Sequence, residues 1–92
     1  MLFQVKVRVN TVTMAEFGKQ LQAGALDRSC IRGETHCLKN DPAVGFSIWE
    51  AKNAEDFEAH FSAWRKFYTE VEVNEVITPM EAMTALFSMA GK

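Results

Sequence analysis

The chain has little of what metal sites and disulfides require, with two cysteines and two histidines among its 92 residues. Cys30 and Cys37 are predicted to share one strand, where an odd separation points the two side chains to opposite faces, which argues against a disulfide between them. No Cys-x-x-Cys pair occurs, and a zinc site would need ligands from scattered positions. We therefore expect no structural metal and no cofactor.

Long apolar runs and blocks of one charge are also absent. The 10 basic and 12 acidic residues are mixed along the chain, for a net charge of -2, so neither nucleic acid nor a membrane surface is an expected partner. No apolar run approaches membrane-spanning length, and the alternating, charged first residues do not resemble a signal peptide. These features favour a cytoplasmic protein.

Hydrophobic residues, at 48% of the chain, are sufficient for a single packed domain over residues 1–92. Alternation of apolar and polar residues predicts four strands. The first covers residues 2–9, the second covers 30–38 with the weak pattern of an edge strand, the third is centred on residues 44–49, and the fourth covers 71–77. Lys39-Asn40-Asp41-Pro42 is a turn signal that joins the second and third strands as a hairpin.

Three helices are predicted from their start signals and apolar stripes. Thr13 and Glu16 have the spacing of a capping box, and Gly24 is a suitable end for this first helix. Asn53 is suited to cap the second. Its apolar stripe consists of Phe57, Phe61, Trp64 and Tyr68. The run Thr78-Pro79-Met80-Glu81 predicts a short C-terminal helix with Met80, Met83 and Phe87 on one side.

The order strand, helix, strand, strand, helix, strand predicts a ferredoxin-like βαββαβ sandwich of the α+β class, with an antiparallel sheet and both crossover helices on one sheet face. Strand parity assigns to the other, open face Gln4, Lys6, Arg8, Arg32, Glu34, His36, Ser47, Trp49, Glu72 and Asn74. An exposed Trp49 and the methionines of the C-terminal helix indicate surface that needs cover. We therefore predict a homodimer that pairs through this open face.

Several stretches resemble known families. The opening Met-Leu-Phe-Gln-Val-Lys is similar to the start of muconolactone isomerases. Other stretches resemble an uncharacterised bacterial family of unknown function in the dimeric α+β barrel superfamily. These stretches are Arg32-Gly33 through His36, Gly45-Phe46-Ser47-Ile48-Trp49-Glu50, Trp64, and Val73-Asn74-Glu75-Val76-Ile77-Thr78-Pro79-Met80-Glu81-Ala82. The resemblance implies the fold and sheet-to-sheet dimerisation. The superfamily includes isomerases, cofactor-free monooxygenases, haem-handling proteins and stress-induced proteins, so the fold alone does not select a reaction.

Three acidic or basic groups are candidate catalytic residues: His36, Glu34 and Glu50. A histidine beside a carboxylate on the open face is suited to acid–base catalysis near neutral pH, whereas the alternative is an exposed pair on an edge strand. Glu50 and Glu75 fall by parity on the apolar sheet side, where loss of water raises the pKa of a carboxyl group. The alternative is that each strand ends or bulges there and turns the carboxylate to water.

Arg8, Trp49 and Trp64 are candidate ligand-binding residues. Arg8, with Lys6, is suited to hold an anion, or else to pair with Glu34 and Glu72 across strands or subunits. Trp49 would stack on a planar ligand or anchor the dimer seam. Trp64, with the rest of the stripe of Phe57, Phe61 and Tyr68, would line an apolar pocket between helix and sheet or belong to the core. His60 is expected to be a partly exposed helix residue.

An RNA-recognition domain is set aside, because the third strand lacks a basic residue before its glycine and carries Ile48 where a second stacking aromatic is needed. Two function classes remain. The first is a homodimer that binds a small organic molecule, with cofactor-free isomerase-like or monooxygenase-like chemistry. The second is a non-catalytic interaction or stress-response protein whose sheet face is only a dimer seam.

Overall fold

The protein consists of a four-stranded antiparallel sheet with two helices on one face, followed by a third, C-terminal helix. The computed structural model describes residues 1–91. Its elements are β1 (Leu2–Val9), α1 (Met14–Ala23), β2 (Ile31–Leu38), β3 (Asp41–Glu50), α2 (Ala54–Arg65), β4 (Tyr68–Val76) and α3 (Pro79–Ala90). The strand order is β2-β3-β1-β4. The predicted ferredoxin-like α+β fold and its additional C-terminal helix are confirmed.

Local signals set most of the helix ends. Gly24 ends α1 in the left-handed conformation, with φ 69°, which costs a glycine nothing. Asn53 caps α2, its Oδ1 accepting from the Asp56 backbone N–H at 2.8 Å. Thr78 and Glu81 form the predicted capping box of α3, and Pro79 occupies the first turn.

Two local predictions are wrong. Thr13 and Glu16 do not form a capping box, because the Thr13 hydroxyl donates to the Asn10 carbonyl and the Glu16 carboxylate accepts from the Gln20 side chain. Tyr68 does not extend the apolar stripe of α2, since that helix ends at Arg65 and Tyr68 begins β4. The aromatic spacing continues into β4 because Tyr68 packs on the same core from the strand. Its ring stacks on that of Phe61 with the centroids 6.1 Å apart.

The register between β1 and β3 decides which side chains face the helices. Phe3 lies opposite Trp49, Val5 opposite Ser47 and Val7 opposite Gly45. Residues directly opposite each other in an antiparallel pair share a face. The core cluster on this face consists of Phe3, Val5, Leu26, Cys30, Trp49, Ala51, Phe57, Phe61, Trp64 and Phe67.

The assignment of Trp49 to the open face is therefore wrong. Its side chain is only 1% exposed, and its ring meets those of Phe57, Phe61 and Trp64 edge-on at 5.7, 5.2 and 5.7 Å. Both alternating rows of β3 contain apolar residues, so parity alone could not choose between them. The row that faces outward contains Val44, Phe46, Ile48 and Glu50, and Ser47 faces the helices with Trp49.

Replacing Trp49 tests this arrangement. Trp49→Ala should lower the free energy of unfolding by about 3–5 kcal/mol, because it removes the ring at the centre of the core. Trp49→Arg should leave the protein unfolded rather than folded and monomeric, since a charge would be buried without a partner. Urea denaturation followed by circular dichroism measures both effects.

The matched control is Ile48→Ala, one residue earlier on the outward row of β3. It should cost clearly less than Trp49→Ala. Equal losses for the two variants would show that the faces of β3 have been assigned incorrectly.

Candidate functional site

A cavity of about 310 Å³ lies between the sheet and its two covering helices. Its size is at the lower end of the range for small-molecule pockets. Side chains from β1, α1, β2, β3, α2 and β4 contribute to its wall, together with Arg28 from the loop between α1 and β2. This is the side of the sheet opposite to the open face, on which His36, Glu34, Arg8 and Trp49 were expected.

Small residues at the centre of β3 account for the cavity. Gly45 and Ser47 face the helices where larger side chains would fill the space. A Cβ atom built on Gly45 would meet Cys37 Sγ at 3.5 Å, the His36 carbonyl oxygen at 3.7 Å and Val7 Cγ2 at 3.7 Å, so a methyl group fits there in ordinary contact and a larger side chain would extend into the cavity. No side chain of α1 is fully buried, and Phe17 is partly buried against the core.

Aromatic rings form much of the cavity wall. Phe17, Trp49, Phe61, Trp64 and Tyr68 all contribute to it. The Phe17 ring meets Trp64 edge-on at 6.0 Å and Tyr68 edge-on at 5.7 Å, so one residue of α1 connects two walls. A cavity of this composition favours a flat, largely apolar molecule, which gains area by stacking.

A few neutral polar groups interrupt the apolar wall. Ser47 Oγ accepts from Trp49 Nε1–H at 2.9 Å and keeps its own proton for donation. Burial, with a smaller effect from Cys37, raises the pKa of Tyr68 to about 12, so its phenol stays protonated as a hydrogen-bond donor at neutral pH. Thr35 and Cys37 add a hydroxyl and a thiol. Among the described residues of the lining none carries a carboxylate, and Arg28 is the charged one besides His36, whose side chain is on the other face of the sheet.

The structure brings the side chains of two of the six predicted site residues, Trp49 and Trp64, to this cavity. His36 borders the cavity from the edge strand with its backbone, while its side chain lies opposite Phe46 on the open face. His36 Nε2 lies 3.7 Å from a Glu34 carboxylate oxygen, with side chains 73% and 89% exposed, so the predicted pair is formed at the surface. Glu34 itself does not line the cavity.

Glu50 and Arg8 lie elsewhere. Glu50 is on the outward row of β3 and accepts from Arg32 at 2.8 Å, which overturns its assignment to the apolar side. Glu75 does share the helix-facing side with Phe3, yet it is exposed near the end of β4. One alternative for Arg8 was an ion pair across strands. Arg8 forms such pairs, with Asp41 at 2.9 Å and Glu70 at 3.5 Å rather than with Glu34.

The residues of the cavity that sequence reasoning did not assign to a pocket include Phe17, Gly45 and Ser47, whereas Tyr68 was considered for one as part of the apolar stripe of α2. Tyr68 had been assigned to the end of a helix, and Phe17 had been treated only as one member of an apolar stripe. The available signal was the pair of small residues on alternate positions of a central strand, because small side chains in a strand interior often mark space for a ligand or a close approach of backbones.

A second polar cluster fastens the loop between α1 and β2 to α2. His60 lies between two carboxylates, with Nδ1 2.5 Å from Asp27 and Nε2 3.4 Å from Asp56. Asp27 also accepts from the Ser29 backbone N–H at 2.9 Å, and its carbonyl accepts from Trp64 Nε1 at 3.1 Å. These contacts hold the loop, which includes Arg28, at the cavity.

Proton binding at this cluster follows from its geometry. Hydrogen bonds from Ser29 and then from His60 lower the pKa of Asp27 to about 2 from 3.8. The hydrogen bond to Asp27 outweighs burial and, with the charge of Asp56, raises the pKa of His60 above 6.5. The contribution of Asp27 to stability is present above pH 3.8 and lost as pH falls through about 2. That of His60 is complete below pH 6.5 and lost as pH rises through its raised pKa.

The cluster predicts a pH-dependent effect of His60→Gln. The variant should lose more stability relative to the wild type at pH 5.5, where His60 is protonated between the two carboxylates, than at pH 8.5. Urea denaturation at the two pH values measures the difference. His36→Gln, which alters an exposed histidine beside a single carboxylate, should show a smaller change between the two pH values. A deficit for His60→Gln that is the same at both values would contradict the assigned role.

Comparison with known proteins gives the fold and the family. No curated protein matches the chain. Among solved structures, 5-chloro-2-hydroxyhydroquinone dehydrochlorinase from Burkholderia phenoliruptrix AC1100, in complex with 2,5-dihydroxybenzoquinone, is similar with a TM-score of 0.55 at 15% identity, over 88% of this chain and 98% of that one. A Bordetella bronchiseptica protein assigned as an antibiotic biosynthesis monooxygenase has a TM-score of 0.45 at 18% identity, over 84% and 97% of the two chains.

The likeness to the dehydrochlorinase supports the predicted α+β fold. Within residues 1–91, no helix is long and apolar enough to cross a membrane. The family match extends over residues 1–90. The chain belongs to the family described as a domain of unknown function, DUF3303.

Proposed function

We propose that the protein is a cytoplasmic homodimer that binds a small, planar, mostly apolar organic molecule in the cavity between sheet and helices. The observation that carries the proposal is a cavity of about 310 Å³ with five aromatic side chains in its wall and few polar groups. The dehydrochlorinase of the same fold binds 2,5-dihydroxybenzoquinone, a flat molecule of the size that this proposal requires. At 15% identity the likeness supports the fold and leaves the ligand to experiment.

Isomerase-like chemistry without a cofactor is the reaction proposed for a ligand in this cavity. His36 is left out of it, because His36 lies opposite Phe46 in the register and its imidazole is exposed beside Glu34, at 3.7 Å, on the open face. The Tyr68 phenol would donate a hydrogen bond to the oxygen on which negative charge develops. Monooxygenase-like chemistry is the second option, and it requires molecular oxygen as the oxidant. Glu50 and Arg8 are left out because their partners lie on the open face.

Dimerisation through the open sheet face is the second part of the proposal. Phe46 and Ile48 are only partly covered there, and Leu2 and Val76 pair on the same face. Basic and acidic side chains surround them: Lys6, Arg8, Arg32, Glu50, Glu70 and Glu72. A two-fold axis across such a surface buries the apolar strip and lets charges of opposite sign meet across the seam.

The alternative function is a non-catalytic interaction or stress-response protein whose sheet face is only a dimer seam. The exposure of α3 favours it, because none of its side chains is buried within residues 1–91. The two functions differ in one property. A ligand-binding protein needs the cavity to be accessible and occupied, whereas an interaction protein needs only its outer surfaces.

Filling the cavity tests ligand binding. Gly45→Val should weaken binding of 1-naphthol or 2,5-dihydroxybenzoquinone at least tenfold, because the added methyl groups enter the space beside Cys37 and Val7. Isothermal titration calorimetry measures the affinity. Gly18→Val is the matched control, since a Cβ there meets nothing within 4 Å, and its affinity should equal that of the wild type. If the wild type binds neither compound, or if Gly45→Val binds them equally well, the cavity is not a site for this ligand class.

Charging the open face tests the dimer. The wild type should sediment with twice the 10.4 kDa mass of the chain, and Ile48→Glu should sediment with the single mass while keeping its circular dichroism spectrum. Burial of an unpaired carboxylate at the seam is the reason. Ser62→Glu, on the exposed side of α2, should remain dimeric. A monomeric wild type at high micromolar concentration, or a dimeric Ile48→Glu, would contradict pairing through this face.

A further inference from the structure

Helix α3 exposes more large apolar side chains than any other element of the protein. Its exposed fractions are 76% for Met80, 51% for Met83, 63% for Leu86, 69% for Phe87 and 71% for Met89. None of the side chains of α3 is buried. A helix that exposes so much apolar surface needs another surface to cover it in the functional protein.

Apolar side chains lie on most sides of α3, so contact along a single narrow stripe would leave many of them exposed. At 100° per residue, the polar residues Glu81, Thr84 and Ser88 fall within a sector about 60° wide. Apolar side chains occupy most of the remaining circumference. The helix therefore fits a groove or a junction between two surfaces better than a flat contact.

The area is that of a protein interface. With Ile77, which is 51% exposed just before the helix, the large apolar side chains present roughly 700 Å². Contiguous apolar patches on monomeric proteins seldom exceed about 600 Å², and a stable interface takes about 800 Å² from each partner. The helix and Ile77 together thus present most of the area of one side of a stable interface.

A lipid surface is a poor occupant for this helix. Interfacial helices that bind membranes have basic residues on their polar face, which attract anionic headgroups. The only charged residue of α3 is Glu81, whose side chain is engaged in the capping box with Thr78. The charge on this helix would oppose binding to anionic lipid.

A second copy of the chain is the occupant that the topology favours. Only Ile77 and Thr78 separate α3 from β4, which is an edge strand of the sheet. Val76, the last residue of β4, lies opposite Leu2 on the open face. A protomer that pairs through its open face therefore places its own α3 beside the partner copy, and flexible methionine side chains adapt to such a junction.

We propose that α3 is exchanged in the homodimer, so that the helix of each protomer packs against the margin of the partner copy's open sheet face. The inference rests on the proposed dimer. The exchange adds a second contact to the sheet-to-sheet contact, made by helix α3 of each protomer. The exchanged helix supplies the apolar cover that its own domain does not give it.

Substitutions on the two sides of α3 test the exchange in the full chain. Met83→Glu with Phe87→Glu should raise the dimer dissociation constant at least 100-fold, measured by analytical ultracentrifugation. Thr84→Glu with Ser88→Glu adds the same charge within the polar sector and should change it less than threefold. Both double variants should keep the stability of the domain, because none of the replaced side chains is buried in it.

A photo-crosslinking residue at position 87 supplies a second readout. It should give a covalent dimer in which mass spectrometry finds the crosslink on the partner copy's open-face strands. Equal dissociation constants for the two double variants, while Ile48→Glu still separates the protomers, would overturn the exchange and leave the sheet-to-sheet dimer intact. Loss of dimer in the α3 variant, with Ile48→Glu still dimeric, would overturn both the open-face seam and docking at its margin.

Lipid binding is the remaining outcome. Wild-type protein should stay in the supernatant when sedimented with phosphatidylcholine–phosphatidylglycerol vesicles. Sedimentation of the wild type with these vesicles, abolished by Met83→Glu with Phe87→Glu, would replace the exchanged helix by a membrane contact and overturn the proposal.

Discussion

The fold depends on the packing of Trp49 beneath α2. The indole is almost completely buried, meets three aromatic rings of the helix edge-on, and satisfies its N–H on Ser47 of the same strand. This contact fixes which row of β3 faces the helices, because a shift of one residue would expose the indole and bury Glu50. Exposure of the apolar ring to water and burial of the Glu50 carboxylate both oppose that shift.

Both surfaces of functional interest follow from this single register. With Trp49 inward, Gly45 and Ser47 also face inward and leave the space that forms the cavity. With Phe46 and Ile48 outward, the open face gains apolar side chains at its centre. The opposite register would fill the cavity with a phenylalanine and leave glycine and serine outside. One strand therefore determines both the pocket and the seam.

The order of elements, most of their bounds and the helix-facing row of β1 were predictable from periodicity and end signals. The orientation of β3 was not, because it is buried on one side and partly covered on the other, so Val44, Phe46 and Ile48 gave a stronger apolar alternation than the row that reaches the core. Tyr68 was misplaced because its spacing from Trp64 fits a helix. A pocket between helix and sheet was one alternative for the apolar stripe of α2, but the contribution of Gly45 and Ser47 could not be predicted because it depends on which row faces inward.

The helix side of the sheet has to satisfy two opposing demands. A small domain gains stability by filling its interior, since each missing contact costs dispersion energy and apolar burial. Here the aromatic rings of α2 fill one half of the space above the sheet, while Gly45 and Ser47 leave the other half beneath α1 open. The stacked Phe17 and Phe67 rings, 4.8 Å apart, attach α1 to the closed half without closing the cavity. Stability and an internal pocket are thus separated along one face of one sheet.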